Sequence, residues 1–197
     1  MKKVICIGDS IRMGYEPTVV SELDDWQVVE LADLQCGHTR NILEHLDEWL
    51  GDDLDVVHIN AGLHDMAQKP TPDPDVPPTG DNQVPLGEYR ANLGRILRRI
   101  KSTTQARIIF GLTTPVDLRR QHESGKGVHR TNDNVAAYNK VASEVAAEHG
   151  ASIDDLNKVV VDNGAAQMLI EDGVHFTDEA SAVLGRAVAR AIREAVS

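Results

Sequence analysis

The chain has 197 residues, 41% of them hydrophobic and 26% charged, a balance that excludes a disordered or fibrous chain and leaves enough length to bury a core. Its formal net charge of −11 opposes nucleic-acid binding, which needs a basic face to offset phosphate charge. No apolar run approaches the roughly 20 residues of a membrane span. The two cysteines show no repeated spacing that suggests a disulfide frame or a zinc site. With Met1 read as a native start, the expectation is one cytoplasmic domain over residues 1–197 with no cofactor and no metal.

Val4, Ile5, Cys6 and Ile7 form an apolar run suited to a strand buried on both faces, and Gly8-Asp9-Ser10 stops it. Ser10 then stands at the C-terminal end of a strand, the edge where ligands gather in open parallel sheets. It is a candidate nucleophile or a helix N-cap. Pro17 is expected to open a helix over residues 17–24. Residues 26–31 read as a second strand and 32–39 as a loop. Residues 40–50 read as a helix ended by Gly51, and 54–61 as a third strand halted by Gly62.

Most of the chain's eight prolines fall in residues 66–87, which excludes regular structure for most of that stretch and leaves either a lid or a surface insertion. A helix over 88–101 carries Arg95, Arg98, Arg99 and Lys101 opposite Leu93, Ile96, Leu97 and Ile100, the pattern of a solvated face. Residues 106–112 read as a fourth strand and 116–130 as a second loop on the active-site side. A helix over 135–149, a short fifth strand over 151–156 and a terminal helix over 178–196 complete the chain. Strands alternating with helices predict an α/β fold, a parallel sheet covered on both faces.

Polar groups suited to catalysis follow the predicted strands: Asp9-Ser10, Cys36-Gly37-His38 and His64-Asp65, with Asp172-Gly173-Val174-His175 just before the last helix. A serine is a poor nucleophile until a base accepts its proton, and a histidine base works best when a carboxylate fixes its tautomer. Asp172, three residues before His175 in a turn, can supply that contact locally. His38, His45 and His58 are read as structural or surface histidines, because nothing fixes a metal-ligand spacing among them.

I-G-D-S at residues 7–10, Gly37, G-L-H-D at 62–65 and D-G-V-H-F-T at 172–177 resemble, in this order, the blocks of the SGNH/GDSL hydrolase family. Glu88-Tyr89, the Thr113-Thr114-Pro115 turn and Tyr138-Asn139 also fall where that family places similar residues. The resemblance implies a three-layer α/β/α fold with a flavodoxin-like, five-stranded parallel sheet. It implies Ser10 as nucleophile, His175 as base and Asp172 as the acid that orients it, with the Ser10 and Gly37 backbone N–H groups as oxyanion donors. Asp9 and Asp65 are expected to brace loops through backbone hydrogen bonds. One block departs: His64 stands where the family has an asparagine that donates to the oxyanion, a role an imidazole N–H can also fill.

The implied function is a serine esterase acting through an acyl-enzyme on short acyl esters, acetyl above all, of small molecules or carbohydrate. Short chains fit a sequence with only 4% aromatic residues. An acyltransferase, a lysophospholipase or a thioesterase on the same residues are the alternatives, and so is a non-catalytic binding module of the same fold.

Overall fold

The structure is a computed structural model that describes residues 1–31, 36–73, 76–78 and 80–197. The apolar run near the N-terminus forms β1 (Lys3–Ile7), in which Val4, Ile5, Cys6 and Ile7 are fully buried. A strand so covered must sit inside its sheet, and β1 pairs in parallel with β2 (Gln27–Val29) on one side and β3 (Val56–Asn60) on the other. β4 (Arg107–Gly111) and β5 (Ser152–Asp154) extend the sheet in parallel, giving the order β2-β1-β3-β4-β5. This is the flavodoxin-like α/β arrangement that the resemblance implied. The edge strands β2 and β5 are short and partly exposed, as edges usually are.

α1 (Ser10–Glu22) follows β1 directly, which corrects the expected helix over 17–24. The Asp9 carboxylate caps it by accepting the Ile11 N–H at 3.0 Å, and Ile11, Tyr15, Val19 and Leu23 repeat on its buried side. Pro17 lies inside the helix, where its fixed φ fits and one backbone bond is forgone. α2 (Thr39–Trp49) and α3 (Leu86–Thr103) match expectation, and Arg95, Arg98, Arg99 and Lys101 are all exposed, with Arg99 paired to Asp47.

The expected loop over 116–130 contains a helical turn, α4 (Leu118–Glu123), capped by Asp117. α5 (Asn132–Glu148) precedes β5. Two short helices that the sequence pattern did not suggest, α6 (Leu156–Asp162) and α7 (Ala165–Met168), separate β5 from the terminal α8 (Asp178–Glu194). α2, α3 and α5 pack in succession as one layer, while α1, α6 and α8 form the other. Part of the expected loop over 32–39 lies outside the described residues.

In the proline-rich segment, Val84 N–H bonds Asp65 O at 2.8 Å and Gln83 N–H bonds Ala67 O at 2.9 Å, so its two ends close on one another. Tyr138 on α5 donates its hydroxyl to Val84 O and accepts from Asn82 Nδ2. Gln68 pairs with His129 through two backbone bonds of 2.9 Å, which ties this segment to the 116–130 loop. Among the described residues no helix is long and apolar enough to cross a membrane.

Candidate active site

In an open parallel sheet the crevice lies where the strand order reverses. Here that point is between β1, whose connection runs outward to β2, and β3, whose connection runs the other way to β4. Ser10 follows β1 and His64 follows β3, so the topology alone brings them to one crevice. Ser10 is the first residue of α1, and because Asp9 caps the N–H of Ile11, the Ser10 N–H remains at the positive end of the helix with no intrahelical partner.

The turn before α8 brings the third element. Asp172 Oδ1 accepts the backbone N–H groups of Val174 and His175, each at 2.9 Å, the local closure that aspartate side chains offer. Gly173 makes the turn possible: its φ is +71°, and a Cβ there would stand 2.3 Å from Asp117 O. Asp117 N–H in return bonds Gly173 O at 2.8 Å, and Arg120 Nη1 bonds Leu169 O at 2.7 Å, so α4 docks onto the turn.

The outcome is a chain of contacts. Ser10 Oγ lies 2.7 Å from His175 Nε2, and His175 Nδ1 lies 2.5 Å from Asp172 Oδ2. With the ring proton on Nδ1 and donated to Asp172, Nε2 is an acceptor for the serine hydroxyl, the arrangement a general base requires. Burial alone would raise the Asp172 pKa, but hydrogen bonds from Lys126, from the His175 amide and ring and from the Val174 amide outweigh it and hold the carboxyl well below its ordinary range. Lys126 Nζ reaches the same oxygen as the imidazole, at 2.5 Å.

Ser10 and His175 line a pocket of about 120 Å³ whose walls also include Asp9, His64, Lys126, Val128 and Arg130. A larger cleft of about 510 Å³ near Leu112 and Asn132 lies apart from Ser10. Its Asn132 and Asn139 side chains are occupied in bonds to the backbone of Val116 and Thr113. The smaller pocket is therefore the one that holds reactive groups. Burial lowers the His64 pKa, with Arg130, His38 and His175 acting the same way against the opposing pull of Asp9, which favours the neutral ring with one N–H to donate.

Gly37 is not among the pocket's lining residues, but it adjoins them: Cys36 N–H bonds Gly8 O at 3.0 Å, and Gly37 turns the chain with φ +67°. His38 caps α2, its Nδ1 accepting the Asn41 N–H. His58 is buried against Asp154 and Tyr15 in the sheet, and His45 lies beside Glu48 on α2. Cys6 and Cys36 are buried free thiols. Two pocket residues had no signal in the sequence beyond lying in the 116–130 loop: Lys126 and Arg130. Among the described residues, those of 66–87 do not line the pocket.

The model of the GDSL-like lipase/acylhydrolase family matches residues 6–183. The chain belongs to that family. As a member it resembles a GDSL esterase/lipase of Arabidopsis thaliana, with 27% identity over 129 residues that cover 59% of this chain and 53% of that protein. The matched region thus spans about half the length of this curated relative. A lipase/acylhydrolase from Enterococcus faecalis superposes with a TM-score of 0.78 at 23% identity, covering 98% of this chain and 96% of that one. An acetylxylan esterase from Geobacillus stearothermophilus gives 0.71 at 21% identity over 97% and 94% of the two chains. These structural likenesses establish a shared fold.

The remaining motif aspartate of this GDSL chain braces a loop. Asp65 Oδ1 accepts Thr39 N–H at 3.0 Å and Thr39 Oγ1 at 2.5 Å, joining the β3 crevice to the start of α2. Its Oδ2 is buried without a hydrogen bond among the described residues, and burial pushes the pKa up to about 6 despite the bonds from Thr39. The folded protein therefore binds this proton more tightly than the unfolded chain, where an aspartate titrates near about 3.9. Stability is fully present below that value and declines as pH rises through about 6. In Asp65→Asn the decline should be absent, so melting curves of the two proteins should diverge between about pH 4 and pH 6, with the wild type losing ground. Parallel curves across that interval would show that folding leaves the Asp65 pKa unchanged.

Proposed function

We propose that this protein is a serine esterase that hydrolyses short-chain acyl esters through an acyl-enzyme. The observation that carries this reading is the contact of Ser10 Oγ with His175 Nε2 at 2.7 Å, backed by Asp172. Ser10 Oγ attacks the ester carbonyl carbon as its proton passes to Nε2. The tetrahedral intermediate collapses when Nε2–H returns that proton to the departing alcohol oxygen, leaving the acyl group on Ser10. Water, giving its proton to Nε2, then attacks the acyl carbonyl, and as this second intermediate collapses Nε2–H returns the proton to Ser10 Oγ, releasing the carboxylic acid and restoring the free serine. Asp172 remains a carboxylate throughout and stabilises the imidazolium.

The oxyanion meets the Ser10 N–H at the N-terminus of α1, where the helix dipole favours negative charge. The Gly37 N–H and the His64 ring N–H are the other donors. A pocket of about 120 Å³ has the volume of about four waters in the liquid, which suits a short acyl chain with the alcohol part outside. Likeness to an acetylxylan esterase makes esters of carbohydrate hydroxyls, acetyl esters first, the class to assay.

The reading is tested with p-nitrophenyl acetate and butyrate. Wild type should release p-nitrophenol, and Ser10→Ala should be folded and slower by several orders of magnitude. Wild-type rates in Ser10→Ala would end the mechanism.

His64 carries a separate expectation. Removing one oxyanion donor costs on the order of 10²–10³ in kcat, so His64→Ala should lower kcat by that much with little change in KM, the mark of an interaction made in the transition state. His64→Asn should regain part of the loss through its amide N–H. A folded His64→Ala enzyme within about threefold of wild-type kcat, far less than such a loss, would remove His64 from the oxyanion hole.

A further inference from the structure

Arg12 and Arg130 are the buried arginines among the described residues. They are buried on different terms. Arg12 is in contact with the Glu16 carboxylate one turn along α1. Arg130, only 8% exposed, forms no ion pair among the described residues. The one hydrogen bond of its side chain there is from Nε to the carbonyl oxygen of Leu63, at 2.5 Å. Among the described residues its terminal nitrogens, Nη1 and Nη2, have no hydrogen-bond partner, and the side chain lines the same pocket as Ser10 and His175. A guanidinium keeps its charge at any working pH and presents a planar pair of donors matched to a carboxylate. Burying one without a contacting anion is costly, and desolvation pulls its pKa down while the more distant Asp9 and Asp172 only partly oppose it.

The backbone of Arg130 is held in place. Arg130 N–H bonds Gln121 Oε1 at 2.9 Å, and Gln121 Nε2 bonds Arg130 O at 3.0 Å, so a buried amide on α4 clamps the residue from both sides. The neighbouring His129 is paired to Gln68. Of the two nearby carboxylates Asp9 lines the pocket and Asp172 does not, and neither forms an ion pair with Arg130 among the described residues. Asp172 is engaged by His175 and Lys126, and Asp9 caps α1. Lys126 stands half-exposed at the rim, whereas Arg130 lies deep. With the acyl part in this small pocket and the alcohol part outside, as in the esterase reading, the group that meets Arg130 belongs to the acyl part.

We propose that the pocket is built for acyl groups that themselves end in a carboxylate, half-esters of short dicarboxylic acids, with Arg130 binding the free carboxylate while Ser10 attacks the ester carbonyl. The proposal rests on the esterase reading for the site and adds its substrate class.

The matched pair monoethyl succinate and ethyl butyrate tests it. They share a leaving alcohol and an acyl chain length and differ in the terminal carboxylate, and acid release is followed in a pH-stat. Wild type should prefer the succinate by about tenfold or more in kcat/KM, equivalent to about 1.4 kcal/mol, chiefly through KM. Arg130→Gln should abolish the preference and Arg130→Lys should keep part of it. Succinate dianion alone should raise the melting temperature of wild type and leave that of Arg130→Gln unmoved.

Equal wild-type rates on the two esters, or an Arg130→Gln protein that loses kcat on both alike with the preference intact, would overturn the proposal. The second result would assign Arg130 to the oxyanion or to loop structure. If wild type cleaves neither ester while succinate still stabilises it in an Arg130-dependent way, the esterase reading fails and the anion site stands. Cleavage of both without preference and without succinate binding gives the reverse.

Discussion

The carboxylate of Asp172 holds the site together. One of its oxygens accepts two successive backbone N–H groups and so folds the turn, while the other takes the His175 ring and the Lys126 ammonium. The same side chain thereby shapes the backbone that carries the histidine and orients the histidine's ring. Placing those jobs on one group makes the geometry local: His175 is positioned three residues from Asp172, by a turn that only a glycine at 173 allows against α4. The donors around Asp172 also keep it ionised, so its charge is available to an imidazolium at any pH where the histidine itself can act.

What this turn meets is set by the sheet. The reversal of strand order between β1 and β3 opens a crevice at their C-terminal ends, and β1 delivers Ser10 there as the opening residue of α1. In the proposed mechanism nucleophile and oxyanion donor thus share a helix N-terminus, where unpaired N–H groups and the helix dipole both favour developing negative charge. The far wall comes from a segment that has no place in the sheet, the loop over 116–130, anchored at one end on the Asp172 turn and at the other on Gln68. Ser10 and His64 are therefore placed by the α/β scaffold, and Lys126 and Arg130 by a loop fixed upon it.

The strands and long helices were legible because their signals are local. Val4 to Ile7 is too apolar for an exposed strand, and the stripe through Leu93, Ile96, Leu97 and Ile100 fits only a helix. Ser10, Asp172 and His175 were legible as reactive groups, and their convergence rested on a family resemblance, since no local rule brings residue 10 to residue 175. Pro17 misled: read as a helix start, it hid the stripe of Ile11, Tyr15 and Val19 that begins at the Asp9 cap. α6 and α7 are too short for a periodic pattern. Arg130 could not be singled out, because an arginine in a polar loop reads as solvated until burial and the lack of a contacting carboxylate are seen in three dimensions.

The central claim is that Ser10 becomes the acyl carrier because His175 takes its proton. The most direct measurement is to quench wild type with acid during turnover of p-nitrophenyl acetate and to map the acetyl group by peptide mass spectrometry. The account predicts the acetyl group on Ser10, formed in a burst that His175→Ala abolishes. An acetyl group on another residue, or turnover with a burst that persists without His175, would contradict it.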